Sequence, residues 1–473
     1  MTGRASGSNV VAMTNDHHAV LRSLWDALGE GAPPLPEARI SGAAGGLPSV
    51  YDLGTMATAL VTLATAAAAA LHAARSGERA RAVEIERPHA AAAFCSERLV
   101  TPAGWELPPT WDPIAGDYAA ADGWIRIHTN YAHHRSAARR ALDVAGTKED
   151  VTRAIAGRSA EDVEAAIVRE GGAAARMRTV AEWAANPQGQ AVAAEPLVIA
   201  ARRALPEDAP LPPAERPLAG VRVLDLTRVI AGPVCTRFLA AYGADVLRID
   251  PPGFEEVGAL LPETTAGKRR AWLDLRSQEG HATFLRLASE ADLLVCGFRS
   301  DALARLGLGD AVLRADNPAL AILRLDAYGW SGPWQERRGF DSLLQMSTGI
   351  AARGAEASGA TRPTPLPCQA LDHGAGYLLA AAGCRALTDR LRGEATTAKI
   401  SLARVAALLA SLGEHGDPRA PELTEAVADA YREPATSSFG PLRRVRCPGR
   451  IAGLPPPCWE RPAGLLGVDE ARW

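Results

Sequence analysis

The chain has 473 residues, 47% of them hydrophobic, and this length predicts about two to four domains with substantial cores. The formal net charge of −3 lacks the basic excess that draws a nucleic acid or an anionic membrane surface, so neither partner is expected. The seven cysteines are scattered without a CxxC pair. That pattern argues against a disulfide scaffold or a structural zinc site and favours a reducing, cytoplasmic compartment.

The chain opens with a lead-in, residues 1–45, which ends in a Pro- and Gly-rich stretch and carries one short helix. Its first ten residues, MTGRASGSNV, contain no apolar stretch, so no signal peptide is predicted. Met56–Arg75 then has the composition of a long Ala-rich helix. Its apolar part, Met56–Leu71, is short for a membrane span and consists mostly of Ala and Thr, so we expect a helix buried in the protein.

A smaller α+β domain is predicted over residues 46–203, which include that helix. Trp124–His128 alternates like a strand, and His134–Val144 has helical spacing. The segment SAEDVEAAIVREGG has a Ser N-cap, acidic residues in its first turn and Gly after its end, which predicts a further helix. The Pro-rich, charged segment at 204–217 is the best linker in the chain.

After the linker, strands and helices alternate over residues 218–412. VRVLDLT (221–227) and DVLRID (245–250) are short apolar strands, and the helical segment AGPVCTRFLAAYGA separates them. Nearly continuous Val, Leu and Ile strands between helices predict a Rossmann-like parallel sheet with helices on both faces, hence an α/β fold. Residues 413–473 form a tail, and its Pro-rich part, 435–473, is expected to hold little regular structure.

Several sequence motifs of well-known sites are missing. The turn after the first strand, RVIAGP, lacks the GxGxxG glycines of a dinucleotide site, and neither GxxxxGK[ST] nor GxSxG occurs. His128, His133 and His134 lie close in sequence, but no further ligand stands at metal-site spacing. We therefore expect structural histidines and no metal.

Asp372 is the strongest candidate for chemistry. It follows a Pro-rich loop and directly precedes HGAGYLLAAA, which places it at or near the N-cap of a buried helix. An aspartate there is a favoured cap that gains from the helix dipole. A partly desolvated carboxylate is also a covalent nucleophile, and the small residues of 373–376 would leave room for an acyl group. Spacing alone leaves both interpretations open.

A weak internal repeat relates residues 47–71 to residues 366–387. Both segments place Leu-Pro before an aspartate, Gly two residues after it, and then an Ala-rich helix. The repeat predicts that Asp52 and Asp372 occupy equivalent positions, and we expect a non-catalytic role for Asp52.

Several segments together resemble the class III CoA-transferases of the CaiB/BaiF type. They are PLAGVRVLDLTRVIAGPVCTRFLAAYGADVLRIDPP, GKRRAWLDLRSQEG, ADLLVCGFRSDALARLGL, NPALAILRLDAYGWSGP, RGFDSLLQMSTGIA and LPCQALDHGAGYLLAAAGCRAL. The family's catalytic aspartate falls on Asp372. The resemblance implies transfer of CoA from an acyl-CoA to a small carboxylic acid through an aspartyl anhydride and an aspartyl-CoA thioester. It implies no tightly bound cofactor, because coenzyme A or acyl-CoA is the substrate, and it makes Gly374 a candidate oxyanion donor.

The same resemblance implies a coenzyme A site. Its arginines suit phosphate, since guanidinium can donate two parallel hydrogen bonds to it. The implied residues are Ile230, Ala231, Leu273, Asp274, Leu275, Arg276, Gly297, Phe298, Arg299 and Arg305.

The sequence also departs from the family pattern. Ile230, Pro251 and Gly297 replace the Gln, Arg and Asn of formyl-CoA transferase-like members. The histidine of the related 2-methylacyl-CoA racemases falls on Phe340, directly before Asp341, and Phe cannot move a proton. A racemase-like isomerase and a non-catalytic acyl-CoA-binding protein remain the alternative functions.

The order of the segments looks rearranged relative to the family. The segment from ADGWIRIHTNYAHHR to about residue 200 resembles the small domain that normally follows the aspartate helix, yet here it precedes the sheet domain. Relatives form interlinked homodimers, so a homodimer is a candidate state for this chain.

Overall fold

The structure, a computed structural model, describes residues 16–43, 45–207, 209–299 and 301–473. Its strands are β1 (Ala38–Ser41), β2 (Val83–Glu86), β3 (Thr101–Pro102), β4 (Gly116–Ala120), β5 (Gly123–Ile127), β6 (Ala174–Arg176), β7 (Ile199–Ala204), β8 (Arg222–Leu226), β9 (Asp245–Asp250), β10 (Lys268–Trp272), β11 (Leu293–Cys296), β12 (Ala321–Asp326), β13 (Glu394–Ser401), β14 (Arg432–Ser437), β15 (Gly440–Val445) and β16 (Arg450–Ile451).

The helices follow the same chain order. They are α1 (His17–Ala27), α2 (Leu53–Ser76), α3 (Arg87–Ala93), α4 (Ala132–Leu142), α5 (Lys148–Ala156), α6 (Ala160–Arg169), α7 (Val180–Ala185), α8 (Pro187–Ala194), α9 (Ala231–Ala241), α10 (Leu261–Thr264), α11 (Gln278–Ser289), α12 (Ala302–Arg305), α13 (Asp310–Leu313), α14 (Asp341–Ser347), α15 (Ile350–Ser358), α16 (Ala370–Arg390), α17 (Leu402–Ser411) and α18 (Glu425–Ala428). Short 3-10 turns lie at Ser96–Leu99, Gly258–Leu260 and Asp429–Tyr431.

A seven-stranded sheet in the order β10-β9-β8-β11-β12-β13-β7 forms the centre of the molecule. All neighbouring strands are parallel except β7, which pairs antiparallel with β13 at the edge. Successive residues of β11 enter different cores: Leu293 and Val295 pack on the α9 and α16 side, and Leu294 and Cys296 on the α11 side. Helices therefore cover both faces, which confirms the predicted α/β fold.

The strand order changes direction at β8. From β8 the chain proceeds outward to β9 and β10 on one side, and then through β11, β12 and β13 on the other. Ligands of open parallel sheets bind in the crevice at such a reversal, beyond the carboxyl ends of the strands. The segments that follow β8 and β11, which start at residues 227 and 297, lie there.

The long Ala-rich helix is present as α2, and it packs against α16. It is the one described helix whose length and apolar composition would allow it to cross a membrane. The protein buries 94% of its apolar window, as the sequence predicted. Asp52 is its N-cap and accepts a hydrogen bond from the Thr55 N–H at 2.9 Å, a contact worth about 1 kcal/mol.

Strands β4, β5 and β6 with helices α4, α5 and α6 form a small layer with its own apolar core. Ile125 and Ile127 alternate into that core, and Ser159 caps α6, as the pattern predicted. Residues 199–203, which we assigned to the smaller domain, instead form most of the β7 edge of the central sheet. The other domain boundaries stay predictions.

The expectation of little regular structure in 435–473 is wrong for its first part. Strands β14 and β15 form a hairpin that pairs with β3, and β16 pairs with β2. These partners come from the first half of the chain, so a local sequence pattern could not reveal them.

Candidate active site

Asp372 lies in the first turn of α16. The helix begins at Ala370, and its N-cap, Gln369, makes no side-chain cap. Instead Asp341, the first residue of α14, accepts the N–H groups of Leu371 and Asp372 at 2.8 and 3.0 Å. Because Asp341 satisfies these amides, the Asp372 carboxylate is not used as a cap, and none of the described residues donates a hydrogen bond to it.

The surroundings of Asp372 favour its protonated form. The residue is only 7% exposed, and burial together with the nearby Asp341 and Glu97 raises the pKa of its carboxyl well above the usual range. Glu97 is itself hydrogen-bonded to His373 Nε2 at 2.8 Å. Burial also raises the pKa of Asp341. A carboxylate made basic in this way is a better nucleophile once it loses its proton.

Two cavities meet at Asp372. The first has a volume of about 350 Å³ and the second about 270 Å³, and Val229, Phe340 and Asp372 line both. The Phe340 ring stacks on His128 with centroids 3.7 Å apart and planes 2° apart. Asp372 can therefore contact a molecule that enters from either side of Phe340.

The first cavity occupies the crevice where the strand order reverses. Four of the residues predicted to bind coenzyme A line it, namely Ala231, Gly297, Phe298 and Arg299. Arg228, Arg337 and Arg338, which the sequence analysis did not select, line it as well. The first cavity thus carries guanidinium groups suited to phosphate.

The arginines of the first cavity differ in how freely they could bind a ligand. Arg337 is paired with Glu164 at 2.9 Å. The Arg228 guanidinium lies over the Phe254 ring at 3.6 Å. Arg299 forms no ion pair with any residue that the structure describes. Arg228 also pairs with Asp250 at 3.7 Å, and Arg338 donates to the Gly171 carbonyl at 2.8 Å. Arg299 is therefore the side chain best placed to meet a phosphate.

The remaining residues predicted to bind coenzyme A do not line the first cavity. Ile230 lines the second cavity. The segment Leu273, Asp274, Leu275 and Arg276 follows β10 at the same edge of the sheet, where Arg276 is 76% exposed and bonds Asp274 at 2.9 Å. Arg305 is also exposed and pairs with Asp301. Their part in binding stays a prediction.

The turn between β8 and α9 is strained. Val229 has a φ of +63°, a conformation that a β-branched residue rarely adopts. Glu256 accepts the Val229 N–H at 3.2 Å, and Glu256 is itself held by Arg248 at 2.9 Å and by the Tyr131 hydroxyl at 2.8 Å. This buried network fixes the turn at Val229, one of the segments that line both cavities.

The glycines after Asp372 serve packing and leave no room for a ligand, so that expectation is wrong. A Cβ on Gly374 would meet Val405 Cγ1 at 2.9 Å, and one on Gly376 would meet the Ala231 carbonyl oxygen at 2.6 Å. Gly374 therefore packs against α2 and α17 in the core, and its part as an oxyanion donor stays a prediction. The N–H groups of Ala231 and Gly232 at the start of α9 donate to no described residue and are better candidates.

Asp52 and Asp372 are not structurally equivalent, so that part of the predicted repeat is wrong. Asp52 caps α2, whereas Asp372 is the third residue of α16. At the start of α16 the amide hydrogens are accepted by Asp341, which belongs to another helix. At the start of α2 they are accepted by Asp52, the N-cap residue of that helix. Asp52 lines neither of the two cavities.

The histidine cluster lies beside the site. His128 and His134 are buried, and burial lowers the pKa of each to about 3, so both rings are neutral at ordinary pH. Within the described ranges, no three His, Cys, Asp or Glu side chains converge as metal ligands. His128 lines the second cavity, a position that its sequence context did not reveal.

Comparisons with known proteins agree with this geometry. Residues 218–421 match the model of CoA-transferase family III. The probable fatty acyl-CoA transferase Rv3272 of Mycobacterium tuberculosis is 34% identical over 205 residues, 40% of this chain and 52% of that protein. The succinyl-CoA–D-citramalate CoA-transferase of Chloroflexus aurantiacus is 36% identical over 149 residues, 29% of this chain and 37% of that protein.

A third relative and a solved structure extend the comparison. The succinate–glutarate CoA-transferase of Agrobacterium fabrum is 33% identical over 167 residues, 32% of this chain and 42% of that protein. The crystal structure of Rv3272 is 34% identical, covers 41% of this chain and 57% of that one, and gives a TM-score of 0.38, too low to argue from. The chain thus spans about half the length, or less, of these curated relatives. Residues 218–421 are therefore similar to the class III CoA-transferases.

Proposed function

We propose that this protein transfers CoA from an acyl-CoA thioester to a free carboxylic acid, with Asp372 as the covalent nucleophile. The observation that carries the proposal is the position of Asp372, which lines both a cavity with four arginines and a second cavity with one. The match of residues 218–421 to the family model and the named activities of the relatives support it.

The proposed reaction consists of four acyl substitutions, each of which forms or breaks a bond to the Asp372 carboxyl group. Its carboxylate attacks the thioester carbonyl, the C–S bond breaks, and CoA leaves as thiolate from a mixed anhydride. The thiolate attacks the aspartyl carbonyl, which forms aspartyl-CoA and releases the first acid as its carboxylate. The acceptor carboxylate then attacks aspartyl-CoA and expels the thiolate. The thiolate finally attacks the new acyl carbonyl, which yields the new acyl-CoA and restores the Asp372 carboxylate.

Residues around Asp372 bind coenzyme A and stabilise negative charge in the proposed reaction. Arg228 and Arg299 bind the phosphates of coenzyme A in the first cavity. The N–H groups of Ala231 and Gly232 stabilise the oxyanions that develop during attack. Coenzyme A is a substrate, and we propose no tightly bound cofactor.

The setting of the reaction is also a proposal. All seven cysteines are free, as expected in a reducing cytoplasm. The homodimer implied by the resemblance stays a prediction for this chain.

The racemase alternative is less favoured. Racemisation needs a base that removes the α-proton, and the position of the racemase histidine is occupied by Phe340. His128 does stack on that ring, but burial lowers its pKa to about 3, which makes it a weak base.

The test is turnover of an acyl-CoA with a labelled acid, followed by mass spectrometry of the new thioester. Asp372→Asn is expected to lose at least about a thousandfold in rate. Asp52→Asn is the matched control, because Asn also caps a helix and Asp52 lines neither cavity.

Other outcomes point to the alternatives. Exchange of the α-proton with deuterated solvent, without transfer, would instead support the racemase. CoA binding with neither reaction would support the binding protein.

A further inference from the structure

The geometry points to a substrate class: the second cavity accepts the carboxylic acid, and it selects a compact monocarboxylic acid with an apolar body about the size of one ring. This inference rests on the proposed function. It concerns the cavity of about 270 Å³ that Asp372 shares with the first one.

The walls of the second cavity are largely apolar. Leu107, Trp111, Val257 and Leu260 line it together with Phe340. Trp111 is 40% exposed, an unusual state for so large an apolar ring, and it meets the buried His128 ring edge-on at 5.8 Å. An apolar acyl body would cover Trp111 and displace water from these walls.

The charges in the second cavity argue against a second carboxylate on the acid. Glu97, Asp341 and Asp372 contribute three acidic side chains. Arg98 is the only cation among its described lining residues, and it already pairs with Glu422 at 3.3 Å and donates to the Pro367 carbonyl. A dicarboxylic acid would therefore place its far carboxylate near acidic groups without a free cation.

Unpartnered polar groups lie where one carboxylate would bind. The Ser342 hydroxyl and the Nδ1 atom of His128 are buried and have no hydrogen-bond partner among the described residues. The side chain of Gln369, the N-cap of α16, also lines the cavity and caps no amide. These donors surround the approach to Asp372 and would orient a single carboxylate for attack.

The volume limits the size of the acid. A space of about 270 Å³ corresponds to roughly nine water molecules at liquid density, so it suits a body of about ten non-hydrogen atoms. Phenylacetate has this size and apolar character, whereas succinate carries the second charge that the cavity disfavours.

The experiment offers acetyl-CoA with equal amounts of phenylacetate, propionate and succinate and measures the ratio of the product thioesters. We expect phenylacetyl-CoA to exceed succinyl-CoA at least about tenfold. Ala259→Leu, which narrows the second cavity, should lower the phenylacetyl to propionyl ratio about tenfold. Ala193→Leu, on an exposed position of α8, is the matched control and should leave the ratio unchanged.

A second variant adds charge at an exposed position and so avoids a folding defect. Thr110→Arg places a cation at the mouth of the cavity and should raise the share of succinyl-CoA. Succinate used as well as phenylacetate by the parent, or an unchanged ratio in Ala259→Leu, overturns the inference and leaves the transferase intact. No thioester from any acid, with Asp372 unlabelled, overturns the proposed function and the inference together.

Discussion

Helices α16 and α9 approach each other so closely that an added methyl group between them is expected to lower both stability and catalytic rate. Gly376 lies four residues after Asp372, and a Cβ there would meet the Ala231 carbonyl oxygen and Val234 Cβ, both at 2.6 Å. Because one of these atoms is backbone, Gly376→Ala must push the helix away from the turn that lines the first cavity. A shift of about 1 Å at a reacting group can cost about a hundredfold in rate.

Two opposing effects set the expected change in the free energy of unfolding. Replacement of Gly by Ala inside a helix stabilises it by about 1 kcal/mol, and overpacking of a filled core costs about 1–3 kcal/mol. Gly383, in the same helix, offers a matched comparison, since its Cβ would meet side-chain methyl groups alone, those of Leu293 and Leu323 at 3.2 Å and of Leu239 at 3.9 Å. We expect Gly376→Ala to lower the free energy of unfolding by up to about 2 kcal/mol and Gly383→Ala to change it little.

Guanidinium denaturation and kcat/KM for transfer are the measurements. Gly376→Ala should lose most of its activity, and Gly383→Ala should keep it. A Gly376→Ala protein as stable and as active as the parent would contradict the close approach of the two helices.

Three further predictions concern charge. Burial raises the pKa of Asp326 to about 7, so this group binds a proton on folding and its contribution to the free energy of unfolding falls by up to about 4 kcal/mol as pH rises from about 4 to 7. Asp326→Asn should remove that fall in denaturation curves measured across this range, and an unchanged curve would refute the assignment. Glu97→Gln removes a negative charge near Asp372, so the pH at which kcat/KM rises should move down, and an upward shift in the pH–rate profile would be the opposite of this expectation. Arg299→Ala should raise the KM for acyl-CoA about tenfold with little change in kcat, and an unaltered KM would remove Arg299 from the phosphate site.

The sequence predicted the parts of the fold whose signal is local. Continuous apolar strands such as Leu293–Cys296 and the Ala-rich run of α2 specify their own structure, and both were predicted correctly. The hairpin of β14 and β15 was missed because its outer partner, β3, lies more than three hundred residues away in sequence.

In the candidate site too, residues that belong to a motif were predicted and residues without a motif were missed. Asp372, Ala231 and Arg299 were selected through motifs, and the structure brings them to the first cavity. Trp111 and Glu97 carry no motif and reach the second cavity only through tertiary packing, so no pattern around them could have identified them. The roles of Gly374 and Gly376 depended on which neighbours they contact, and sequence could not decide that.

Mass spectrometry of the Asp372 peptide after incubation with an acyl-CoA and hydroxylamine shows whether this carboxylate becomes acylated during turnover. We expect a hydroxamate on Asp372 alone, formed only when acyl-CoA is present and absent from Asp372→Asn. An unmodified Asp372 peptide from protein that is turning over acyl-CoA would contradict covalent catalysis by this residue.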